Sequence, residues 1–519
     1  VDPSTYRWQT VGWQGRRWEE TVLLELHVGT FSAAGTFDGV RLQLERLAGL
    51  GITAIELMPL ATFTGERNWG YDGVLPFAPD RTYGEPDALK ALIDEAHRLG
   101  IQVFLDVVYN HFGPDGNYLH LSAPAFYRDD EQTPWGRALD FRHETVRSFF
   151  VHNALYWLTE YQFDGLRLDA VHAISDDARR QFLDELSKAV ANRFRRSRHI
   201  HLMIENEEND VGLLEHGYTA QWNDDIHHCL HTVLTGQADG YYADYIDAPM
   251  DKLVRALSEG FVFQGQPMKA RGGRERGQPS AHLAPQRFIA FMQNHDQIGN
   301  RPAGDRLSTQ VDPVALRAAH ALLLLCPQIP MLFMGEEWGS KQPFQFFTDF
   351  GGDLGQAVRD GRRREFSGFT GFTASDLAEQ IPDPESAETL LQSRLDTDGP
   401  PDANAWKYQQ FVAELIQVRH QFLVPMLRSD RPAQVDSRRV AERGLEIRWT
   451  FESGAQWALL AQLDEGHAEG FERPAGDLVW CSVASDAGRI GRGIMGGWSV
   501  AAFCVPLRMS SGNDVARED

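Results

Sequence analysis

The chain has 519 residues, of which 42% are hydrophobic, and its formal net charge is −23. This length exceeds one ordinary domain and suits a large barrel with a small appendage, and the hydrophobic content argues against wholesale disorder. A strongly acidic chain is repelled by nucleic acid and by anionic membrane surfaces. Neither is therefore expected as a partner, and a neutral substrate is favoured.

The four cysteines, Cys229, Cys326, Cys481 and Cys504, are widely spaced, and no CxxC pair occurs. This spacing suggests neither a zinc ribbon nor a redox dithiol, so buried free thiols in a reducing cytoplasm are expected. No signal peptide is visible, and no apolar stretch approaches the roughly 20 residues needed to span a bilayer. The sequence predicts a cytoplasmic protein without cofactor or metal, and it leaves the oligomeric state open.

Short apolar runs alternate with amphipathic helical stretches over about the first 370 residues, which is typical of a parallel α/β fold. Predicted helices at 37–50 and 86–99 each end at a glycine. Eight strands alternating with helices predict a closed (β/α)8 TIM barrel rather than an open sheet. The predicted strands are 22–28, 52–57, 101–108, 165–168, 201–204, 220–222, 288–292 and 331–334.

The composition changes after strand three and again near residue 380. A Gly/Pro/Tyr-rich stretch after strand three predicts a short inserted loop domain, and β-rich runs late in the chain predict a small antiparallel C-terminal β domain. The expected order is a linker at 1–20, the barrel at 21–375 with its insertion at about 112–140, connecting loops and a helix at 376–425, the C-terminal β domain at 426–510 and a tail at 511–519.

Charged residues follow neighbouring predicted strands, where a barrel places its catalytic groups. Arg167 and Asp169 are two apart on a strand, so both point to one side, and the guanidinium should lower the pKa of Asp169, as suits a nucleophile. Glu205 ends the next strand near that carboxylate, which should raise its pKa, as suits a general acid. A retaining glycosidase requires such a pair roughly 5 to 5.5 Å apart. Asp296 would be a third carboxylate, able to hold sugar hydroxyls.

Four motifs in the expected order resemble the conserved regions of the α-amylase family of glycoside hydrolases. They are DVVYNH at 106–111, GLRLD at 165–169, Glu205 and NHD at 294–296. WGYDG at 69–73 is similar to the segment after strand two in that family, whose tyrosine stacks on the sugar in the cleavage subsite. The resemblance covers roughly residues 20–370.

The resemblance implies a role for each matching carboxylate. Asp169 would be the nucleophile, Glu205 the acid/base and Asp296 the transition-state stabiliser. Asp106 and Asn110 stand where some α-amylases bind calcium, but the insertion is short and no metal is predicted. Substrate contacts are expected at Tyr71, Asp72, His111, Arg167, His172 and His295.

Further segments resemble one group within that family, the maltooligosyltrehalose trehalohydrolases. The resemblance implies hydrolysis of the α-1,4 bond between trehalose and a maltooligosaccharide. It also implies contacts to trehalose from the run 222–225, although Asn223 or Asp224 could simply cap a helix. Members usually carry a β-sandwich before the barrel, whereas residues 1–8 are similar to the linker that follows it. The resembling segments are 104–118, 157–174, 221–228, 294–307, 343–347 and 361–366, and the contacts expected are Trp222, Asn223, Asp224 and Asp225.

Three other interpretations stay open, two of them enzymes and one a binding protein. Within the enzyme class, an α-glucan branching enzyme or a plain α-amylase would differ in acceptor or in product. In another class, the chain would be a catalytically inactive scaffold that binds glucan. Such scaffolds typically lack one or more of the three carboxylates, and this chain has all three.

Overall fold

The computed structural model describes residues 5–133, 136–174, 176–366, 381–397, 402–429, 431–483 and 486–507. The expected end of the barrel at residue 375 and the expected tail at 511–519 lie outside these residues. Among the described helices, none combines the length and the apolar character that crossing a bilayer requires.

Eight parallel strands form a closed barrel in which each strand pairs with its neighbours in the chain. The predicted (β/α)8 fold is therefore confirmed, including the sixth strand, which is only three residues long. The strands are β1 (Leu23–Leu26), β2 (Ala54–Leu57), β3 (Gln102–Val107), β4 (Gly165–Leu168), β5 (His201–Ile204), β6 (Ala220–Trp222), β7 (Phe288–Phe291) and β8 (Ile329–Phe333).

Helices connect these strands and cover the outside of the barrel. The stretch predicted as one helix over 37–50 forms two helices, because the chain turns at Leu42, whose side chain is exposed. The helices are α1 (Val28–Phe31), α2 (Phe37–Arg41), α3 (Leu44–Leu50), α4 (Pro86–Arg98), α5 (Leu119–Ser122), α6 (Glu144–Glu160), α7 (Asp176–Phe194), α8 (Gly212–Glu215), α9 (Asp224–Thr235), α10 (Pro249–Glu259), α11 (His295–Gly299), α12 (Leu307–Gln310), α13 (Pro313–Leu325), α14 (Gly352–Phe366), α15 (Ala387–Ser393), α16 (Ala403–Val418), α17 (Val424–Ser429) and α18 (Ala487–Ile490).

The inside of the barrel is apolar at its floor and charged near its mouth. Trp18, from the expected linker, packs at the floor against Phe104 and donates its indole N–H to the Gln286 carbonyl at 2.7 Å. Buried polar residues replace this apolar layer two positions further along the strands, as at Asp106 and Arg167. Successive inward positions of a strand are two residues apart, so the charged layer stands directly above the apolar one.

A five-stranded antiparallel sheet follows the barrel. The strands are β9 (Pro432–Val440), β10 (Gly444–Phe451), β11 (Gln456–Gln462), β12 (Asp477–Cys481) and β13 (Ser499–Val505), in the order β9-β10-β11-β13-β12.

The sheet is fastened to the barrel at the C-terminal end of α13. The indole of Trp457 donates to the Leu325 carbonyl at 2.9 Å. Arg419, which is fully buried, donates to the carbonyls of Leu324 and Gln328 at 3.1 and 2.8 Å. The bonds to the carbonyls of Leu324 and Leu325 satisfy groups that the end of α13 leaves without partners. The insertion after β3 is a short hairpin of two strands, Tyr127–Thr133 and Gly136–Leu139.

Candidate active site

The catalytic candidates lie together at the mouth of the barrel, because all eight strands run in the same direction. Asp169 directly follows β4, Glu205 directly follows β5, and Asp296 lies in the first turn of α11 after β7. The backbone links the first two turns as well, since the Val171 N–H donates to the Glu205 carbonyl at 3.1 Å. This is the end of a (β/α)8 barrel where catalytic residues are found.

Arg167 lies at the centre of the site and is completely buried. One of its terminal nitrogens donates to Asp106 at 2.7 Å and to Asp169 at 2.9 Å, and the other donates to Glu205 at 2.7 Å. Its guanidinium stacks on the Trp222 ring, 4.0 Å from the ring centroid. Both terminal nitrogens of Arg167 are therefore engaged by protein carboxylates, so this residue positions Asp169 and Glu205, and its burial leaves it out of reach of a substrate.

Asp169 is held in its ionised form. Burial opposes ionisation, but the charges of Arg167 and His111 outweigh it and lower the pKa of Asp169. Asn110 adds a hydrogen bond, donating to the second carboxylate oxygen at 2.9 Å. An ionised carboxylate with its oxygens fixed is suited to nucleophilic attack.

The pKa of Glu205 shifts in the opposite direction from that of Asp169. Burial and the nearby charge of Asp169 raise its pKa to about 8, although Arg167 acts against them. The Ala170 N–H donates to one Glu205 oxygen at 3.0 Å, so the side chain is oriented from β4 as well as from its own strand. A carboxylic acid that keeps its proton near neutral pH can donate that proton to a leaving group.

Asp296 is positioned by its own helix. The Asn294 side chain caps α11 by accepting from the Asp296 N–H at 2.9 Å, and Gln297 completes a capping box. The Asp296 carboxylate is the most accessible of the three, and the His295 Nε2 atom lies 3.4 Å from it. The site thus brings together three carboxylates with different degrees of burial.

Tyr71 and His295 form an aromatic wall beside the carboxylates. Their rings stack with centroids 5.0 Å apart, and the Tyr71 hydroxyl donates to Asp106 at 2.6 Å. His111 is held against this wall, with its Nε2 atom 3.0 Å from the Tyr71 carbonyl oxygen. Tyr71 is the residue of this wall on which the sequence predicted that a sugar stacks.

Asp72 and His172 flank the site with partners of their own. Asp72 accepts from the Asn68 amide at 2.6 Å, and burial raises the pKa of Asp72. His172 accepts from the Glu207 N–H at 3.2 Å through Nδ1, which leaves Nε2 at the rim, 3.5 Å from the Glu207 carboxylate.

Three of the four expected trehalose contacts are engaged within the protein, which corrects their assignment. Trp222 is 2% exposed and its ring faces Arg167, so it cannot stack on a sugar. Asn223 is fully buried and donates to the Gly260 carbonyl at 2.7 Å. Asp225 is paired with Arg276 at 2.9 Å below the surface. The sequence did not reveal this, because it does not show which protein groups each of these side chains contacts in the fold.

Asp224 is the member of that run that faces the mouth. Its carboxylate accepts from the Gln297 side chain at 3.3 Å, and its charge acts on Glu205. Burial and the neighbouring carboxylates of Asp225 and Asp296 raise the pKa of Asp224 to about 7, against the effect of Arg276. It is therefore a fourth acidic group at the site.

Two residues of the site escaped the sequence analysis. Glu25, in β1, is fully buried and contacts His295; its only signal was a charge within the apolar run VLLEL at 22–26. Tyr241 is an exposed aromatic residue close enough to Asp296 and Arg362 for their charges to act on it. No signal in the sequence set Tyr241 apart from other loop tyrosines. Within the described part of the chain, no group of three or more His, Cys, Asp or Glu side chains is arranged to hold a metal ion.

The barrel and its paired carboxylates define a glycoside hydrolase with an α-amylase-type catalytic domain. The family model described as "Alpha amylase, catalytic domain" matches residues 24–135. The chain belongs to the malto-oligosyltrehalose trehalohydrolase family.

Two relatives and one solved structure support this membership. The malto-oligosyltrehalose trehalohydrolase of Deinococcus radiodurans is 45% identical over 76% of this chain and 65% of its own length. The enzyme of the same name from Arthrobacter ramosus is 40% identical over 83% of this chain and 75% of its own length. A Salmonella typhimurium crystal structure, described as that of a candidate alpha amylase, has a TM-score of 0.91 at 40% identity and covers 97% of this chain and 85% of that chain.

Proposed function

We propose that the chain hydrolyses the α-1,4-glucosidic bond between trehalose and a maltooligosaccharide, with retention of configuration and release of trehalose. One observation carries this proposal: Asp169 and Glu205 bind the same guanidinium, that of Arg167, yet their pKa values shift in opposite directions. Two carboxyl groups whose environments separate their protonation states divide the roles of nucleophile and acid. The names of the relatives supply trehalose as the product.

In the first step, Glu205 protonates the glycosidic oxygen and Asp169 attacks the anomeric carbon. The bond from that carbon to the trehalose oxygen breaks, trehalose leaves, and a covalent β-glycosyl ester forms on Asp169. Asp296 stabilises the positive charge that develops on the sugar ring in the transition state. The ionised Glu205 is stabilised by Arg167, which already donates to it.

In the second step, Glu205 acts as a base. It takes a proton from water, whose oxygen attacks the same anomeric carbon and displaces Asp169. The maltooligosaccharide leaves as the α anomer, and Glu205 regains the proton that it donated. Tyr71, His111 and His295 contact the sugar that undergoes attack, while Asp224 contacts trehalose.

The substrate is a neutral oligosaccharide, which suits a chain with a net charge of −23. The reaction yields trehalose and is therefore a step of trehalose biosynthesis. We place it in the cytoplasm, because all four cysteines are unpaired and free thiols are typical of a reducing compartment.

The test is a product analysis with two substrates of similar length, maltooligosyltrehalose and an unmodified maltooligosaccharide. We expect free trehalose from the first substrate and little hydrolysis of the second. Proton NMR during the reaction should show the α anomer at the new reducing end before mutarotation. The Asp169→Ala variant, purified in the same way, should be folded and inactive, and it controls for contaminating glucosidases.

Other outcomes would change the assignment. Equal cleavage of both substrates would indicate a general α-glucan hydrolase, and transfer of the glucan to a sugar acceptor would indicate a branching activity. If the folded protein binds glucan but does not hydrolyse it, the chain would be a catalytically inactive scaffold that binds glucan. An active Asp169→Ala variant would refute the assignment of Asp169 as the nucleophile.

A further inference from the structure

Glu25 is a charged residue on the inner wall of a barrel strand, with no access to solvent. It stands in β1 directly opposite Glu56 of β2. Neither residue belongs to the three carboxylates that carry out the proposed reaction. Burying a carboxylate is costly unless other groups stabilise its charge, so the partner of Glu25 indicates what this residue does.

The partner of Glu25 is His295, which follows β7, the second strand from β1 around the barrel. One Glu25 oxygen accepts the His295 backbone N–H at 3.1 Å, and the other contacts the Nδ1 atom of the ring. The two contacts fix both the backbone and the ring of His295. They direct Nδ1 towards β1 and leave Nε2 on the side of Asp296, 3.4 Å from its carboxylate.

We propose that Glu25 is a positioning residue, which holds His295 as an imidazolium with its Nε2–H directed at the sugar and at Asp296. This inference rests on the proposed function, in which His295 contacts the sugar under attack. A neutral imidazole bound to a carboxylate through Nδ1–H would present Nε2 as an acceptor. The charged form presents a donor there instead, which suits both a sugar hydroxyl and the Asp296 carboxylate.

The charges around His295 favour the protonated ring. Burial opposes protonation, but the carboxylates of Asp296 and Glu25 outweigh it and raise the pKa of His295 to about 9. Arg167, from β4, acts in the opposite direction. Among the described residues, the other titratable neighbours of His295 are Glu56, His27 and Tyr71, whose ring stacks on that of His295.

Glu56 offers a matched comparison for Glu25. It lies opposite Glu25 in the register and is equally buried, but neither of its oxygens has a hydrogen-bond partner among the described residues. Burial and the charges of Asp106 and Glu25 raise the pKa of Glu56 well above its usual range, which favours its neutral form. Replacing Glu56 with glutamine leaves the contacts of His295 in place, whereas the same change at Glu25 puts an amide where a carboxyl group contacts the His295 ring and backbone.

The experiment compares Glu25→Gln and Glu56→Gln with the parent protein. Histidine labelled with ¹⁵N reports the protonation of His295 in the free protein, and loss of the signal in His295→Gln assigns it. In Glu25→Gln the pKa of His295 should fall by about 1 to 3 pH units, which is the usual effect of one adjacent opposite charge. In Glu56→Gln it should stay close to that of the parent.

Hydrolysis measured from pH 6 to pH 8.5 gives a second readout. In Glu25→Gln we expect kcat/KM to fall by about 10- to 100-fold at pH 8, a size seen when a group that orients a histidine is lost. The deficit should shrink towards pH 6, because the fraction of protonated His295 in the variant increases as the pH falls. A purely structural defect would lower activity equally at all pH values. Glu25→Asp, which keeps the charge, should restore the pH dependence.

The results separate this inference from the proposed function. An unchanged His295 titration in folded Glu25→Gln would overturn the inference, as would a deficit that does not vary with pH. If the parent hydrolyses no maltooligosyltrehalose, the proposed function fails, while the NMR titration still decides what Glu25 does. If Glu25→Gln is unfolded by circular dichroism, the titrations of the parent and of Glu25→Asp decide. A His295 ring that is protonated at pH 7 in both proteins supports the inference, and a ring that is neutral at pH 7 in the parent contradicts it.

Discussion

At the scale of single residues, the site depends on one guanidinium. Arg167 donates to carboxylates that follow or belong to three neighbouring strands, and its flat face rests on Trp222. A lysine would bring the same charge but could not bind several carboxylates in a fixed plane. Because Asp169 and Glu205 share this cation, a change at either one alters the charge that acts on the other.

The pKa values of the two carboxylates predict the pH profile of hydrolysis. Glu205 must hold its proton to act as an acid, so kcat/KM should fall as the pH rises through about 8. Asp169 must be ionised, and its lowered pKa places the acidic loss below the usual value of 3.8. Initial rates from pH 3.5 to 9.5 test this expectation. A basic limb near pH 5 would contradict the assignment of Glu205.

At the scale of secondary-structure elements, α9 separates two adjacent aspartates. Asp224 and Asp225 both lie in its first turn, where the helix dipole favours negative charge. Asp225 points into the protein and accepts hydrogen bonds from the Tyr245 hydroxyl, the Val262 N–H and Arg276. Asp224 points to the mouth. Residues adjacent on a helix are separated by about 100°, so one turn can supply both a structural anchor and a substrate contact.

The two aspartates should therefore respond differently to the same substitution. Asp225→Asn places an amide N–H₂ against donors and removes the one carboxylate among the described residues that is hydrogen-bonded to the buried Arg276, so the free energy of unfolding should fall by about 3–5 kcal/mol. Asp224→Asn should preserve stability and raise KM for maltooligosyltrehalose about tenfold, the size of one lost hydrogen bond to a charged group. Urea unfolding and steady-state kinetics measure both. A stable Asp225→Asn with a raised KM would restore Asp225 as a substrate contact.

Part of this arrangement could be predicted from the sequence, and part could not. The eight strands and the positions of Asp169 and Glu205 could be predicted, because strand periodicity and strand direction place these groups locally. The contact between Glu25 and His295 could not, since 270 residues separate them. Asp224 and Asp225 looked equivalent, because the difference between them depends on Arg276, which a distant hairpin supplies.

At the scale of the whole molecule, buried ionisable groups link stability to pH. Several carboxyl groups keep protons in the folded state that the unfolded chain loses above pH 4.5: burial raises the pKa of Glu205 and Glu336 to about 8 and that of Asp224 to about 7. Their contribution is fully present below their usual pKa values and is lost as the pH rises through 7 to 8. Other buried groups act in the acid range, where burial lowers the pKa of five histidines to about 4: His27, His201, His228, His231 and His320.

From about pH 7.5 to 8.5 these histidines are largely neutral in both states, because the pKa of an unfolded histidine is about 6.5, so the carboxyl groups determine the trend. The thermal unfolding midpoint should therefore fall as the pH rises from about 7.5 to 8.5. Scanning calorimetry at about pH 7.5, 8 and 8.5 measures this change. Glu336→Gln, which removes one of the proton-binding groups outside the active site, should make the decline shallower. A midpoint that rises over this range would contradict the raised pKa values of these buried carboxyl groups.

The closed barrel and the C-terminal sheet differ in their exposure to intermolecular strand pairing. The barrel has no edge strand, because β1 pairs with β8. The five-stranded sheet ends at β9 and β12, and an open edge can recruit strands from other chains. Strand β9 begins with a proline, which lacks an N–H donor, and carries Asp436, Arg438 and Arg439. Neutralising these charges should expose a template for aggregation in the C-terminal sheet, outside the barrel that carries the candidate catalytic residues.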